Sequence, residues 1–178
     1  FSNNVMNETV IVTLNTNAFL DGSTTNLATA SNGIVAFTNL RIGPAWTNYQ
    51  MLFTLKNYTN VTTNSASFTN SPAEASKLAV TQQPSATNQA GKVFATQPKV
   101  RLQDAYGNST TNSGVVILAT LKSGDLPTLT NSTGGSNTAT TTNGEAVFAG
   151  LRIDGKVGVR NLNFASTTLT NLSNAVSS

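Results

Sequence analysis

The chain has 178 residues, of which 38% are hydrophobic and only 10% are charged, and its formal net charge is +3. It contains no cysteine and no histidine, which excludes thiolate metal sites and cysteine nucleophiles and removes the most common general base. The sequence has no basic run interleaved with aromatic residues, and no apolar run approaches the ~20 residues of a membrane span. We therefore expect neither a nucleic-acid partner nor insertion into a membrane.

The first part of the chain contains alternating runs that predict short strands. Residues 9–14 read TVIVTL, with Val10, Val12 and Leu14 on one face. Further strands are predicted at 27–30, 49–55 and 63–69. Asn32-Gly33 precedes a run in which Val35 and Phe37 alternate with Ala36 and Thr38, which predicts a half-buried strand within 33–42. Asn-Gly is the strongest short hairpin signal because both residues accept positive φ.

A ten-residue segment occurs twice in the chain. Residues 33–42 read GIVAFTNLRI, and residues 144–153 read GEAVFAGLRI. The offset of 111 residues also separates Phe53 from Phe164. A period of this length corresponds to a whole domain rather than to a short solenoid repeat. We therefore predict that the chain is two copies of one unit.

The alternation inside residues 144–153 changes phase. Ala146 and Phe148 share one face, whereas after Ala149-Gly150 the apolar positions are Leu151 and Ile153. An extra residue at a bulge or corner would produce this change, since Gly accepts the backbone angles required there. A short loop between two separate strands would produce it equally well, and the sequence leaves both alternatives open.

The second copy begins after a short linker at 70–76, which Pro72 stiffens. We accordingly predict domains at 1–75 and 76–178. Strands of the second copy are predicted at 77–81, 98–103, 114–121 and 138–142. The strand at 114–121 matches 9–14 at an offset of 107, so the second copy has a longer loop at 122–136. Short strands separated by Gly, Pro and Asn turns predict an all-β sandwich.

Four motifs of the second copy resemble a known family. They are, in order, KLAVTQQPS at 77–85, AGxxFATQPxV at 90–100, QDAYGN at 103–108 and NGxAxFxxLxI at 143–153. Together they are similar to bacterial Ig-like tandem repeats of the invasin/filamin-like kind, which fill large secreted and surface-anchored proteins. The resemblance covers nearly all of 77–178 and, more loosely, 1–70. It implies two tandem Ig-like antiparallel β-sandwich domains that serve as spacers, adhesive stalks or fibre subunits.

Both copies depart from this pattern at their ends. The first copy has no counterpart of the two strands at 77–81 and 98–103, so its N-terminal strands are expected to be missing or supplied by another segment or chain. The last strand of the second copy is expected to be truncated, because an offset of 111 carries Phe68 to position 179. A sandwich without two strands exposes sheet edges and core. The chain is then either a piece of a longer array or a unit completed by strands from a neighbouring chain.

Three groups of residues are candidate sites. Asp104 and Asn108 could offer oxygen ligands to Ca²⁺, although one carboxylate makes a poor cage and an Asx-type turn explains them as well. Trp46 and Tyr49 could stack on a sugar, or they could be a core plug or an inter-domain contact. Ile11 and Leu118 occupy matching positions, and their alternation predicts that both point outward.

An apolar residue that points outward at the same position in both copies suggests packing between neighbours along an array or fibre. With no cofactor expected apart from the Ca²⁺ alternative, we expect a structural module rather than an enzyme. It would be a stalk or fibre subunit of an extracellular or cell-surface bacterial protein, with neighbouring repeats or copies of itself as partners. The alternative functions are an adhesin domain that binds glycan or host protein through loops such as 43–49 or 122–136, and an accessory domain of a secreted hydrolase.

Overall fold

A computed structural model describes residues 7–16, 19–122, 128–131 and 137–178. The prediction of an all-β fold is confirmed, because the described residues form fifteen strands and contain no helix, and so none that could span a membrane. The chain divides into two compact units, Phe1–Ser71 (unit 1) and Pro72–Ser178 (unit 2). The sequence-based division after Ala75 lies a few residues further along, and the independence of the two units as domains stays a prediction.

The described residues of unit 1 form six strands. They are β1 Thr9–Leu14, β2 Thr25–Thr29, β3 Trp46–Tyr49, β4 Met51–Leu55, β5 Tyr58–Asn64 and β6 Phe68–Asn70. Four of them make an antiparallel sheet in the order β2-β1-β4-β5, and β3 pairs separately with β6.

The described residues of unit 2 form nine strands. They are β7 Lys77–Gln82, β8 Lys99–Gln103, β9 Val116–Leu121, β10 Thr128–Asn131, β11 Thr138–Thr140, β12 Glu145–Val147, β13 Leu151–Asp154, β14 Leu162–Ser166 and β15 Ala175–Val176. One sheet has the order β11-β9-β14-β15, a second has the order β12-β8-β7, and β10 pairs with β13. Apolar side chains from both larger sheets meet in one core, as in a sandwich.

The two units contain the same four-stranded sheet in the same register. Val12 of β1 lies opposite Phe53 of β4, and Ala119 of β9 lies opposite Phe164 of β14. The members of these pairs are related by the offsets of 107 and 111 residues that the sequence indicates. The sequence repeat is therefore also a repeat of strand pairing.

Both Asn-Gly turns adopt the expected geometry. Asn32 and Gly33 have φ values of 52° and 77°, and Asn143 and Gly144 have values of 50° and 78°. Positive φ at both central residues is the type I′ requirement that favours Asn-Gly.

The repeated ten-residue segment has different structures in the two units. In unit 2 it forms β12 and β13, which pair with β8 and β10 and are joined by a bend at Gly150. The alternative of two separate strands is therefore correct. In unit 1 residues 35–43 lie outside any strand, so the prediction of a strand there is wrong. A strand needs a hydrogen-bonding partner, and the described residues of unit 1 include no counterpart of β8.

The two Asn-Gly turns have different surroundings. A Cβ atom added to Gly144 would overlap the carbonyl oxygen of Thr110, whereas one added to Gly33 would meet no atom within 4 Å. Thr110 belongs to the chain that follows β8, and its amide donates to the carbonyl of Leu102 on that strand. In unit 2 the chain that follows β8 therefore packs on the Asn143-Gly144 turn. No described residue of unit 1 packs on the Asn32-Gly33 turn in this way.

Candidate assembly and binding sites

Unit 1 has a sheet whose core-facing side is only partly covered. Its half-buried apolar side chains match buried positions of unit 2, and we call this set the open face: Val10, Val35, Phe37, Leu40, Met51 and Phe53. Phe37 and Phe53 have ring centroids 5.8 Å apart, and their counterparts Phe148 and Phe164 have centroids 5.3 Å apart. The aromatic pair is therefore built in the same way in both units, but it is buried only in unit 2.

The side chains that cover this face in unit 2 come from β7 and β8. Leu78, Val100 and Leu102 are buried in the core of unit 2. Strands β7 and β8 pair in register, with Leu78 opposite Leu102 and Val80 opposite Val100. The described residues of unit 1 include no pair of strands that covers the open face as β7 and β8 cover the matching face of unit 2.

Ile11 and Leu118 occupy equivalent positions, as expected. Ile11 lies between Leu27 and Thr54 across its sheet, and Leu118 lies between Thr138 and Ala165. Each is half-buried, and each is next to a buried residue of the opposite face. A role for these two residues in assembly stays a prediction.

The structure separates the two residues of the predicted sugar site. Trp46 is 51% exposed, whereas Tyr49 is 0% exposed. The ring of Tyr49 stacks on that of Phe68 with centroids 5.7 Å apart, and its hydroxyl donates to the carbonyl of Pro44. The prediction that Tyr49 binds a ligand is therefore wrong, because the ring is a core plug that β6 covers. Sugar binding by Trp46 stays a prediction.

Asp104 is a fully buried carboxylate at the end of β8. Its Oδ1 accepts the N–H groups of Tyr106 and Asn108, both at 2.9 Å. Its Oδ2 accepts the N–H of Ala73 at 2.9 Å and the Nδ2 of Asn108 at 2.8 Å. The described residues contain no group of three His, Cys, Asp or Glu side chains that could hold a metal ion.

These contacts decide between the two interpretations of Asp104 and Asn108. Four donors surround the carboxylate, and the amide of Asn108 presents its nitrogen to the same group. A Ca²⁺ ion at Asp104 would have to displace these donors, so the residues do not fit Ca²⁺ ligation and do fit an Asx-type turn. Burial raises the pKa of Asp104, but the hydrogen bonds from Asn108, Ala73 and Tyr106 outweigh it and leave the pKa lowered.

Unit 2 also contains a cleft that the sequence did not indicate. Its volume is about 410 Å³, and it lies between residues 84–90 and residues 155–162, with Phe94, Ile153 and Ser178 on its walls. Val157 and Val159 are 80% and 91% exposed. Arg160 Nε and Ser85 Oγ are buried without a hydrogen-bond partner. Two exposed valines and two buried polar atoms without a hydrogen-bond partner thus belong to residues that line one cleft of unit 2. We call it the unit 2 groove.

No protein-family model matches the chain, and no curated protein matches it. Among solved structures, the chain is similar to the crystal structure of Parabacteroides merdae β-glucuronidase, with a TM-score of 0.41 and 14% sequence identity. The match covers 96% of this chain and 21% of that chain, so this chain spans about a fifth of the enzyme's length. A second structure of the same enzyme, with glycerol in its active site, has the same TM-score and identity. A likeness at this TM-score carries no argument about fold or function.

Replacing Asp104 by Asn should destabilise unit 2 by about 2–3 kcal/mol. The new amide nitrogen would face the donors on Ala73 or Asn108, and hydrogen bonds to a charged group contribute about 1.5–3 kcal/mol. Urea unfolding of unit 2 at pH 7 measures the change. Because the folded pKa is lowered, the carboxylate stabilises unit 2 fully above its unfolded pKa. That contribution decreases with acidification and disappears below the folded pKa.

The stability difference between the wild-type chain and D104N should therefore shrink as the pH falls below about 4. The matched control is Asp21→Asn, which removes an exposed carboxylate that accepts hydrogen bonds from the N–H and Oγ of Ser23 in a turn of unit 1. Equal unfolding midpoints for unit 2 in the wild-type chain and D104N would contradict the assignment of Asp104 as a structural carboxylate.

Proposed function

We propose that the chain is a structural module of an extracellular bacterial surface protein, acting as a stalk or fibre subunit. Neighbouring units associate by adding strands to incomplete sandwiches. The observation that carries this proposal is the open face of unit 1. It is the same sheet, in the same register, that β7 and β8 cover in unit 2.

The physical basis is the burial of apolar surface. The rings of Phe37 and Phe53 pack against each other and, like Met51, are only partly buried. Phe37 belongs to residues 35–43, which lie in no strand. A second layer would bury the side chains and pair this segment at the same time. Burying a fully exposed large apolar side chain contributes about 1.5–3 kcal/mol. Because the side chains of the open face are already partly buried, the gain favours a second layer whose strands are ordered before they dock, which avoids the entropy cost of ordering them.

The partner that fits this surface is a pair of strands with the pattern of β7 and β8 from a neighbouring repeat. In unit 2 this pair presents Leu78, Val80, Val100 and Leu102 to the matching face. Its own hydrogen-bonding register is fixed, so it can dock as a preformed layer. Association would depend little on salt, because the chain has few charges and apolar contacts dominate the surface.

The proposal predicts that a second copy of residues 77–107, fused directly ahead of Phe1, completes unit 1. The offset of 107 places the added strands in the register that β7 and β8 have in unit 2. The melting temperature of unit 1 should rise by roughly 10 °C, because several half-exposed apolar side chains become buried. Differential scanning calorimetry measures the change.

The matched control carries the same fusion with Val100→Asp and Leu102→Asp in the added copy only. Both side chains are buried in unit 2, so the altered strands cannot cover an apolar face. If the two fusions leave unit 1 equally stable, the open face is not a strand-accepting surface and the proposal fails.

A second candidate function is an adhesin domain that grips glycan or host protein. The exposed indole of Trp46 favours it, because an exposed aromatic ring at a strand start can stack on a sugar. Part of the other proposed binding loop, 122–136, lies outside the described residues. This candidate predicts that Trp46→Ala abolishes binding to a glycan array while Tyr58→Ala, at another exposed aromatic residue, leaves it intact. Equal binding by both variants would exclude Trp46 as the contact.

A further inference from the structure

Unit 1 shows how this module closes at the edge next to β3. Strand β6 pairs with β3, with Tyr49 opposite Phe68 and Trp46 opposite Asn70. The Nδ2 of Asn70 donates to the carbonyl oxygens of Ile42 at 3.1 Å and Pro44 at 2.7 Å. A short strand with an aromatic residue and an asparagine two positions later therefore seals this edge.

Unit 2 follows unit 1 closely up to Ser177. In unit 1 the N–H of Met51 donates to Ser65 Oγ at 3.0 Å, and the N–H of Ser65 donates to Met51 O at 2.8 Å. In unit 2 the N–H of Leu162 donates to Ser177 Oγ at 2.7 Å, and the N–H of Ser177 donates to Leu162 O at 2.8 Å. Ser177 is therefore the counterpart of Ser65, at an offset of 112.

This offset corrects the mapping of the closing strand. One residue more separates Leu162 from Ser177 than separates Met51 from Ser65. The counterparts of Phe68 and Asn70 would consequently be numbered 180 and 182, not 179 and 181. Among the described residues of unit 2, none pairs with residues 157–160 as β6 pairs with β3 in unit 1.

The unit 2 groove lies where that strand would run. Residues 157–160 are the counterpart of β3, but in unit 2 they lie outside any strand and line the groove together with Ser178. Arg160 replaces the buried Tyr49, and its Nε is buried without a partner. Exposed Val157 and Val159 correspond to Trp46 and Asn48 of β3, the strand that pairs with β6 in unit 1.

We propose that the unit 2 groove is a strand-binding site. Its ligand is an extended peptide segment with the chemistry of Phe68-Thr69-Asn70, bound antiparallel to residues 157–160. The aromatic ring would stack on the planar guanidinium of Arg160, as Phe68 stacks on Tyr49. A peptide carbonyl would accept the unpaired Nε hydrogen, and Phe94 and Ile153 would provide apolar walls. This inference rests on the proposed function, since it names the partner for strand addition at the second unit.

The direct test uses the intact 178-residue chain and a dye-labelled peptide with the sequence of residues 65–71, SASFTNS. Fluorescence anisotropy should show saturable binding, and a peptide with Phe replaced by Ser should bind at least about tenfold more weakly. Arg160→Ala should also weaken binding about tenfold, whereas Lys56→Ala, at an exposed cation of unit 1, should leave it unchanged.

A fused peptide keeps the test decisive if binding between separate molecules is weak. Adding SFTNS directly after Ser178 puts the phenylalanine at position 180, in the register that Ser65 and Ser177 define. Hydrogen exchange of residues 157–160 should slow relative to a fusion of SSTNS. If neither the free nor the fused peptide protects these amides, the proposal is overturned. It is equally overturned if the amides are already protected by self-association of the unextended chain.

The outcomes separate this inference from the proposed function. If the fusion of residues 77–107 stabilises unit 1 but the peptide does not bind unit 2, only the assignment of the groove as a strand-binding site is wrong. If the peptide binds but that fusion does not change the stability of unit 1, the groove is a strand-binding site and the proposed assembly through the open face is wrong.

Discussion

An amphipathic β-sheet needs a second layer, and the structure of this chain depends on where that layer is present. In unit 2, Leu78, Val100 and Leu102 cover the sheet that carries Phe164, and one continuous core results. In unit 1 the same sheet carries Phe53, but the described residues provide no such cover. Comparing the described residues of the two units therefore shows the same sheet with a partner layer in unit 2 and without one in unit 1. Most differences between them follow from that single constraint.

The constraint links local structure to function. The described residues of unit 1 include no counterpart of β7 or β8, residues 35–43 lie in no strand, and Phe37 and Phe53 stay only partly buried. In unit 2, no described strand pairs with residues 157–160, and these residues line a cleft of about 410 Å³. The open face of unit 1 matches the face that β7 and β8 cover in unit 2, and residues 157–160 of unit 2 match the strand β3 that β6 pairs with in unit 1. A repeat protein with such edges is suited to joining neighbouring units, which is the basis of the proposed role as a stalk or fibre subunit.

Short-range sequence patterns predicted the strands and turns that depend mainly on neighbouring residues. Alternation placed β1 and β9, Asn-Gly located both hairpin turns, and the offsets of 107 and 111 anticipated the strand register. The misassigned strand at 35–43 has the right alternation, but strand formation also requires a partner distant in sequence. The sequence likewise left Tyr49 open between a sugar contact and a core plug, because its burial depends on Phe68, nineteen positions later.

The candidate sites show the same limit. The Asx-type turn at Asp104 was one of two interpretations of a five-residue motif, and only the donors from Ala73 and Asn108 decided between them. The unit 2 groove left no signal in composition or periodicity. The sequence repeat predicted a truncated last strand, but its exact register required the alignment of Ser65 with Ser177, which depends on a one-residue insertion that the hydrogen bonds reveal.

Residue-resolved amide hydrogen exchange on the intact chain tests the central claim most directly. The claim is that units 1 and 2 are one module with and without its covering layer. Residues 145–148 are held by β8 and by the bond from Phe148 N–H to Pro98 O. The amides of residues 35–37 should therefore exchange at least about 100-fold faster than those of residues 146–148. Equal protection of the two segments would contradict the claim, because the open face would then already be covered.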